Sequence, residues 1–187
     1  MLDKYSLTNR CRLLRRMQTS LVDIKKAIKG MIVMSSDLDM MYTAFINNSL
    51  PKIWESVSFA SLKTLSSWFI DLVSRVKFMR SWLENGQPAA FPLPVFFFPQ
   101  GFMTASLQTY ARKHSVAIDG LSFAYEVLRV APADITEGPD DGVYVYGMYL
   151  EGARWDVENW RMTDSTPGKM YDLLPAIHFK PSINHKQ

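Results

Sequence analysis

The chain has 187 residues, of which 48% are hydrophobic, 21% charged and 13% aromatic, and its formal net charge at pH 7 is +3. This composition is typical of a globular protein with a sizeable core, and it excludes a disordered or low-complexity chain. A single cysteine excludes an intrachain disulfide and a multi-cysteine zinc site, and prolines interrupt the most apolar stretch, residues 89–103, so no membrane-spanning helix is expected.

The charge is unevenly distributed along the sequence. Residues 1–30 hold eight basic and two acidic groups, whereas residues 131–187 hold five basic and nine acidic groups. A basic helix can bind nucleic acid or an anionic membrane, but such cations are also what the solvated side of an amphipathic helix normally carries. We favour the solvated face and expect neither a nucleic-acid partner nor a membrane partner.

The N-terminal segment has the spacing of one long amphipathic helix. Its apolar residues recur at intervals of three and four, which places them on one helical face: Leu7, Cys11, Leu14, Met17, Leu21, Ile24 and Ile28. We expect this face to lie in the core and the helix to end at Gly30, which can adopt the left-handed conformation of a helix end. A second helix is predicted from Ser36, with Asp39 completing a capping box, through Ile46.

A third helix is predicted from an unbroken alternation of three and four between Leu62 and Leu83. A coiled coil is the alternative that this spacing allows. Trp68 and Trp82 widen the stripe beyond a two-position seam, which favours a helix packed into a globular core. The helix should end at residues 85–86, Asn-Gly.

A fourth helix is predicted from Pro99 to His114. Proline is tolerated in the first turn of a helix, and apolar residues follow it at spacings of three and four. The histidine suits the C-terminal end, where positive charge interacts favourably with the helix dipole.

Beyond residue 115 the period changes to two, which is typical of strands. Alternation over residues 121–128 predicts one strand, and residues 143–150, rich in Val and Tyr, predict a second. Residues 153–155 and 174–179 are candidates for two more. Helices followed by strands indicate an α+β fold rather than βαβ winding.

No segment carries the residues of a familiar catalytic or cofactor site. A phosphate-binding loop is absent, because Gly168-Lys169 lacks both the first glycine and the following hydroxyl residue. The histidines have no second ligand at a zinc-type spacing: His114, His178 and His185. We expect no cofactor, no metal and no catalysis in this chain. A hydrolase that uses Asp140 and Asp141 is the alternative, but acids in a Gly/Pro loop usually serve turn geometry.

Three segments, in the same order along the sequence, resemble the C-terminal region of dynein heavy chains. The first is LPKIW at residues 50–54, followed by SLKTL at 61–65 and by Trp68, Arg75 and Trp82. The second is FFFPQGF at 96–102, continued by QTYARK at 108–113. The third comprises DGVYV at 141–145, LEGARWD at 150–156 and LPAIH at 174–178.

The resemblance implies a non-catalytic module of a large microtubule motor, of the axonemal type that moves cilia and flagella. It implies that residues 1–49 form a helical junction with the last ATPase module, 50–118 the helical part of the C-terminal domain and 119–187 a partial β-barrel. The expected fold is α+β, with N-terminal antiparallel helices followed by a partial antiparallel β-barrel. Family members continue for several more strands, so we expect an unclosed barrel with an open edge.

The resemblance also implies partners and a location. The module would contact the ATPase ring of the heavy chain in cis and bias its motion through differential contacts with the states of the ring. Dynein light or intermediate chains are further candidates, and microtubules would be reached only through the parent motor. The expected location is the cytoplasm and cytoskeleton, in the axoneme of a cilium or flagellum. An independent short adaptor that binds axonemal partners through an aromatic face is the alternative.

The candidate structural or interaction residues are mostly aromatic. They are Trp54, Trp68, Trp82, Phe98, Pro99, Gly101, Arg154 and Trp155. Five tryptophans in one protein favour a docking face, although each singly is more often a core residue. We expect Pro99 and Gly101 to set the entry to the fourth helix, residues 96–98 to form a buried strand-like connection, and Arg154 to stack on Trp155 or pair with Glu151.

Overall fold

The computed structural model describes residues 4–183, with side chains described from residue 11 onward. The protein divides into two compact units, Met1–Ser81 and Trp82–Gln187, and the boundary falls within a long helix. The three-part division at residues 49/50 and 118/119 follows family roles rather than compactness, and it stays a prediction. No helix in the described part of the protein is long and apolar enough to cross a membrane.

The regular elements described in the first unit, unit 1, are all helices. The helices are α1 (Lys4–Ile28), α2 (Ser36–Ile46), α3 (Lys52–Glu55) and α4 (Leu65–Asn85), the last of which runs on into unit 2. Gly30 has a φ of +69°, so α1 ends in the predicted left-handed conformation. The cap of α2 is Ser35, whose hydroxyl accepts the Leu38 N–H at 3.3 Å, so the predicted cap at Ser36 is wrong by one residue.

The buried face of α1 is displaced from the predicted face by one row around the helix. It consists of Leu13, Met17, Ser20, Ile24 and Ala27. Of the predicted face, only Met17 and Ile24 are buried, Cys11 is exposed, and the side chain of Leu7 lies outside the described ones. The remaining predicted members are exposed: Leu14, Leu21 and Ile28. The apolar arc of α1 is wider than the surface that unit 1 covers, so periodicity located the arc but not the buried part of it.

The same displacement occurs on α4. Its buried row, again at spacings of four and three, is Trp68, Leu72, Arg75, Met79 and Trp82. Phe69 and Leu83 of the predicted stripe are exposed, and Leu62 precedes the helix and is fully exposed. The two tryptophans, predicted only to widen the stripe, belong to the buried row itself. The helix ends at Asn85 as predicted, with Gly86 at a φ of +86°.

The second unit, unit 2, contains α5 and the strands. These are α5 (Pro99–His114), β1 (Ala90–Pro92), β2 (Leu121–Val127), β3 (Val143–Tyr146), β4 (Tyr149–Glu151), β5 (Ala153–Asp156), β6 (Arg161–Asp164), β7 (Tyr171–Leu173) and β8 (Ile177–Ile183). Helix α5 has the predicted bounds. The predicted strand over residues 143–150 is divided into β3 and β4 by Gly147, whose φ is +82°.

The strands form three open sheets. The largest has the order β1-β3-β8-β2, and β4-β7 and β5-β6 form two-stranded sheets. Pairing is antiparallel among the strands after residue 119, as predicted for the partial barrel. The one parallel pair joins β3 to β1, which lies in the proline-rich connection and was not predicted as a strand. The α+β fold is confirmed, and the described strands form partial sheets rather than a closed barrel.

Candidate functional site

Two candidate residues, Trp54 and Trp68, form the aromatic core of unit 1. They are 3% and 0% exposed and stack with their ring centroids 6.1 Å apart. Phe45 lies 5.4 Å from Trp54, and Phe59 stacks on Trp68 at 5.7 Å. The Trp54 Nε1–H donates a buried hydrogen bond of 2.9 Å to Ser20 Oγ on α1. Both tryptophans therefore join helices within unit 1.

Arg75 is a buried charge beside this core. Its guanidinium lies 3.7 Å from the ring centroid of Phe59, and Nε and Nη2 donate to Asp71 Oδ2 at 3.2 and 3.1 Å. Burial lowers the pKa of Arg75, and the charge and hydrogen bond of Asp71 oppose that effect. A buried cation compensated by a carboxylate and an aromatic face is a structural group.

Trp82 anchors the aromatic core of unit 2. Its ring lies 5.0 Å from Phe91, and Phe102 of α5 lies 4.9 Å from Phe91 and stacks on Phe96 at 4.0 Å. Phe98 is different, because it is 54% exposed. The connection through residues 96–98 is neither a strand nor wholly buried, so that prediction is wrong.

The turn into α5 is built as expected from its sequence. Pro99 is the first residue of the helix, where its missing N–H costs nothing. The Gly101 N–H donates to the Phe98 carbonyl at 3.1 Å. Pro99 therefore opens the helix as predicted, and the role predicted for Gly101 stays a prediction.

Arg154 and Trp155 lie on the two-stranded sheet β5-β6. Arg154 Nε donates to Thr163 Oγ1, its cross-strand neighbour, at 3.1 Å. The ring of Trp155 packs edge-on against Trp160 at 5.6 Å, and the guanidinium of Arg129 lies 5.1 Å from the Trp160 centroid. Trp155 Nε1 is buried and has no hydrogen-bond partner among the described residues.

The structure does not bring the five tryptophans together. Trp54 and Trp68 belong to unit 1, Trp82 to the core of unit 2, and Trp155 and Trp160 to the β5-β6 sheet. In these positions the high tryptophan content mainly indicates core packing.

The exposed apolar surface of unit 1 consists largely of aliphatic side chains. On α1, Leu14, Leu21 and Ile28 follow one another at intervals of seven residues and are 44%, 39% and 60% exposed. On α4 the exposed residues are Phe69, Ile70 and Val73, and every residue of the link 31–34, Met-Ile-Val-Met, is exposed. We call these two sets and the link the apolar rows of unit 1. Exposed apolar surface of this extent typically marks a site that another protein segment covers.

An open groove also lies along α2. Its volume is about 370 Å³, and its lining includes Met40, Met41 and Ile53. Met40 is 53% exposed. The groove adds a concave apolar site to the same unit.

A charged cluster joins the end of α5 to the loop before β3. Lys113 Nζ donates to Asp141 Oδ1 at 2.8 Å and to the Asp140 carbonyl at 2.7 Å, while His114 Nε2 lies 3.0 Å from Asp141 Oδ1. His178 Nε2 lies 2.9 Å from the Asp141 carbonyl oxygen. The hydrogen bonds from Lys113 and then His114 lower the pKa of Asp141. No set of three His, Cys, Asp or Glu side chains among the described residues is placed to hold a metal ion.

This cluster was not predicted from the sequence. His114 was expected to interact with the helix dipole and Asp141 to serve turn geometry, and no spacing rule connects residues 113–114 with residue 141. The one available signal was a pair of cations at a helix end and an acidic loop later in the sequence.

Comparison with known proteins identifies the family. Residues 7–187 match the family model for the C-terminal domain of the dynein heavy chain. This protein belongs to that family. Similar proteins include human dynein axonemal heavy chain 1 at 42% identity over 175 residues, human dynein axonemal heavy chain 6 at 39% over 194 residues, and mouse dynein axonemal heavy chain 12 at 39% over 172 residues. These alignments span 94%, 93% and 91% of this protein, but only 4%, 5% and 6% of the relatives.

Each dynein-like string includes a junction between elements of this dynein C-terminal domain. The first string contains Pro51, the buried residue before α3, and the second places Pro99 at the start of α5. The third contains Gly142, whose φ is +83°, and a Cβ at that residue would overlap the Phe179 carbonyl oxygen on β8. Only glycine fits there without a backbone shift.

Proposed function

We propose that the protein is the C-terminal module of an axonemal dynein heavy chain, which docks in cis on the rest of that heavy chain and modulates motor output without a catalytic site of its own. Membership of the family and the axonemal names of the similar proteins support this assignment. The same relatives favour a location in the axoneme of cilia or flagella. Because the sequence spans only 4–6% of them, the remainder of such a heavy chain is the natural docking partner.

The main observation that supports docking is the exposure of the apolar rows of unit 1. The rest of unit 1 covers only one side of the apolar arc of α1. Leu14, Leu21 and Ile28 are therefore exposed to solvent in the isolated protein. Removing apolar area from water contributes roughly 25 cal/mol per Å². A row at seven-residue intervals is the spacing that packs against another helix. The expected partner is therefore an apolar helical surface.

The geometry of the loop acids supports a non-catalytic role. Asp141 accepts hydrogen bonds from a lysine and lies against a histidine, an arrangement that fastens its loop to α5. A hydrolytic acid or base instead needs a reacting group within its reach. We assign Asp141 to the structure of the loop.

The test is binding in trans to the motor part of an axonemal dynein heavy chain that lacks this region. We expect the wild-type protein to bind and to change the speed of microtubule gliding. The variant Leu14→Gln/Leu21→Gln/Ile28→Gln should bind at least about tenfold more weakly, a loss of ~1.4 kcal/mol. The matched control, Arg15→Gln/Lys26→Gln, changes exposed residues of the same helix outside the row and should bind normally.

Two results would contradict the proposal. Equal binding by the row variant and the wild type would show that the apolar rows are not part of the interface. ATP turnover by the purified protein would refute the non-catalytic assignment. The adaptor alternative predicts a different outcome, namely binding to dynein light or intermediate chains without binding to the motor part.

A further inference from the structure

Strand β2 is one edge of the four-stranded sheet, and the structure shows which of its backbone groups point away from the sheet. Leu128 N–H donates to the Ala176 carbonyl at 2.8 Å, in register with the β2–β8 ladder. In an antiparallel ladder hydrogen-bonded and non-hydrogen-bonded pairs alternate. The even-numbered residues of β2 therefore bond to β8, and the odd-numbered residues direct their N–H and C=O groups outward.

Pro181 supports this assignment. It lies opposite Phe123 in the register, and a proline has no N–H to give to a ladder. Within residues 4–183, the one backbone hydrogen bond found from an outward residue to another element joins the Leu121 N–H to the Ile118 carbonyl, at the start of the strand. Strand β2 pairs with no strand except β8. The outward residues are Leu121, Phe123, Tyr125 and Val127.

The two edges of the sheet differ in protection. The edge strand β1 has three residues and contains Pro92, features that block further pairing. Strand β2 has seven residues, no proline and no lysine, and Glu126 is its one charged residue. Tyr125 on this strand is 67% exposed. An edge of this kind is a template for another strand.

We infer that two copies of this protein pair through β2, antiparallel, about a two-fold axis at Ala124. In that register Phe123 and Tyr125 of the second copy form hydrogen-bonded pairs. At each end the Val127 N–H reaches the Leu121 carbonyl of the other copy, while the Leu121 N–H keeps its bond to Ile118. Every pair on that face is apolar. On the other face Glu126 lies opposite Ser122, which keeps the two acids from facing each other. The side chains of the strand are thus complementary to a second copy from Leu121 to Val127, and all of its outward backbone groups except the Leu121 N–H are available for pairing.

The dimer joins two sheets of order β1-β3-β8-β2 edge to edge. An antiparallel pair of this length buries less than the roughly 1,200 Å² of a stable interface, so the dimer is weak and depends on concentration. Cross-strand pairs of aromatic and β-branched side chains each contribute about 0.2–1 kcal/mol. This inference does not depend on docking to the remainder of a heavy chain.

The decisive test is a charge exchange at the two-fold axis, measured by sedimentation equilibrium. Ala124 is exposed and lies beside Lys180 of β8 within its own copy. Like charges directly opposite each other destabilise a strand pair, so Ala124→Lys should weaken dimerisation by at least about tenfold. An equimolar mixture of Ala124→Lys and Ala124→Glu should regain a heterodimer. Thr136→Lys, which adds the same charge at an exposed loop position, should dimerise like the wild type.

Cross-linking tests the register. The Ala124 pair across the axis is a non-hydrogen-bonded pair, with Cα atoms about 4.5 Å apart, within the range for a disulfide. In a Cys11→Ser background, Ala124→Cys should form a disulfide-linked dimer on oxidation, and Thr136→Cys should not.

Three outcomes would overturn the inference. A wild-type protein that stays monomeric at every concentration has no such pairing. An Ala124→Lys variant that associates like the wild type uses another surface, such as the apolar rows of unit 1. Hydrogen-exchange protection of the Phe123 and Tyr125 amides in a monomer would show that a segment of the same molecule covers the edge.

Discussion

Trp54 and Trp155 differ in what their indole N–H groups meet. Trp54 donates to Ser20 Oγ at 2.9 Å, whereas Trp155 Nε1 is buried without a partner among the described residues. A buried donor without an acceptor costs about 1–3 kcal/mol of desolvation. Trp54 therefore stabilises the fold through both its ring packing and its hydrogen bond. Trp155 stabilises it through ring packing alone, and the desolvation cost of its N–H offsets part of that gain.

Ser20→Ala tests the value of the buried bond. The change leaves Trp54 Nε1 unsatisfied, and we expect a loss of about 1–3 kcal/mol in the free energy of unfolding, measured with urea. Ser58→Ala is the matched control, because Ser58 accepts a longer, partly buried bond of 3.3 Å from Trp68 Nε1. Equal losses in the two variants would show that burial does not decide the value of the bond.

Asp141→Asn tests the link between α5 and the loop through its pH dependence. The pKa of Asp141 is lowered from 3.8 by hydrogen bonds from Lys113 and then His114, and the pKa of Lys113 is raised from 10.5 by its hydrogen bond to Asp141. A lowered carboxyl pKa stabilises the fold above the unfolded pKa, and this stabilisation is lost as the pH falls through the folded pKa. The raised lysine pKa stabilises the fold below 10.5 and loses effect as the pH rises through the folded value.

The wild type should therefore exceed Asp141→Asn in stability at neutral pH. The difference should shrink toward zero in acid, and again in strong base, when both proteins are unfolded with urea across the pH range. A difference that stays constant with pH would show that packing, not the ion pair, is lost in the variant.

At the scale of elements, the bounds of α2 and α5 were predictable from the sequence, whereas burial was not. Helix α5 and the bounds of α2 follow from local signals such as Pro99 and the residues before and after the helix. The buried face of α1 was misplaced because its apolar arc spans more than one row, and a local pattern does not show which row another element covers.

Leu13 and Leu14 are adjacent residues that test this distinction. Leu13 is 0% exposed and Leu14 is 44% exposed on the same helix. Leu13→Ala should lower the free energy of unfolding by about 2–5 kcal/mol, and Leu14→Ala should change it by less than about 0.5 kcal/mol. Urea unfolding of both variants gives the comparison, and a reversed order would restore the face predicted from periodicity.

Gly142→Ala tests the approach of the loop to β8. Gly142 and Gly168 have the same φ of +83°, but an added Cβ overlaps the Phe179 carbonyl oxygen at the first and meets nothing within 4 Å at the second. Gly168→Ala carries only the cost of the left-handed conformation, about 1 kcal/mol. Gly142→Ala should cost clearly more in thermal or urea unfolding, and equal costs would argue against the close contact.

At the scale of the whole molecule, each unit has a hydrophobic core of its own and leaves specific surfaces uncovered. Unit 1 leaves its apolar rows exposed, and unit 2 leaves the β2 edge unpaired among the described strands. These are properties of a module that associates with further protein.

Dye binding measures the exposed surface of unit 1. We expect the isolated protein to bind a fluorescent apolar dye in its folded state, and Leu14→Gln/Leu21→Gln/Ile28→Gln to reduce the signal. Exposed substitutions change stability little, by about 0.5 kcal/mol or less each, so unchanged circular dichroism is the control. An unchanged signal would place the dye, and the accessible apolar surface, elsewhere.

The sequence by itself determined the α+β order, the ends of α4 and α5, the period of β2, and the family strings, because each depends on residues close together in the sequence. Tertiary structure alone decided which side of the apolar arcs of α1 and α4 is buried, which sheet edge stays open, and that Lys113 and His114 meet Asp141. Those outcomes depend on contacts between distant segments, and such contacts leave no periodic signal in the sequence.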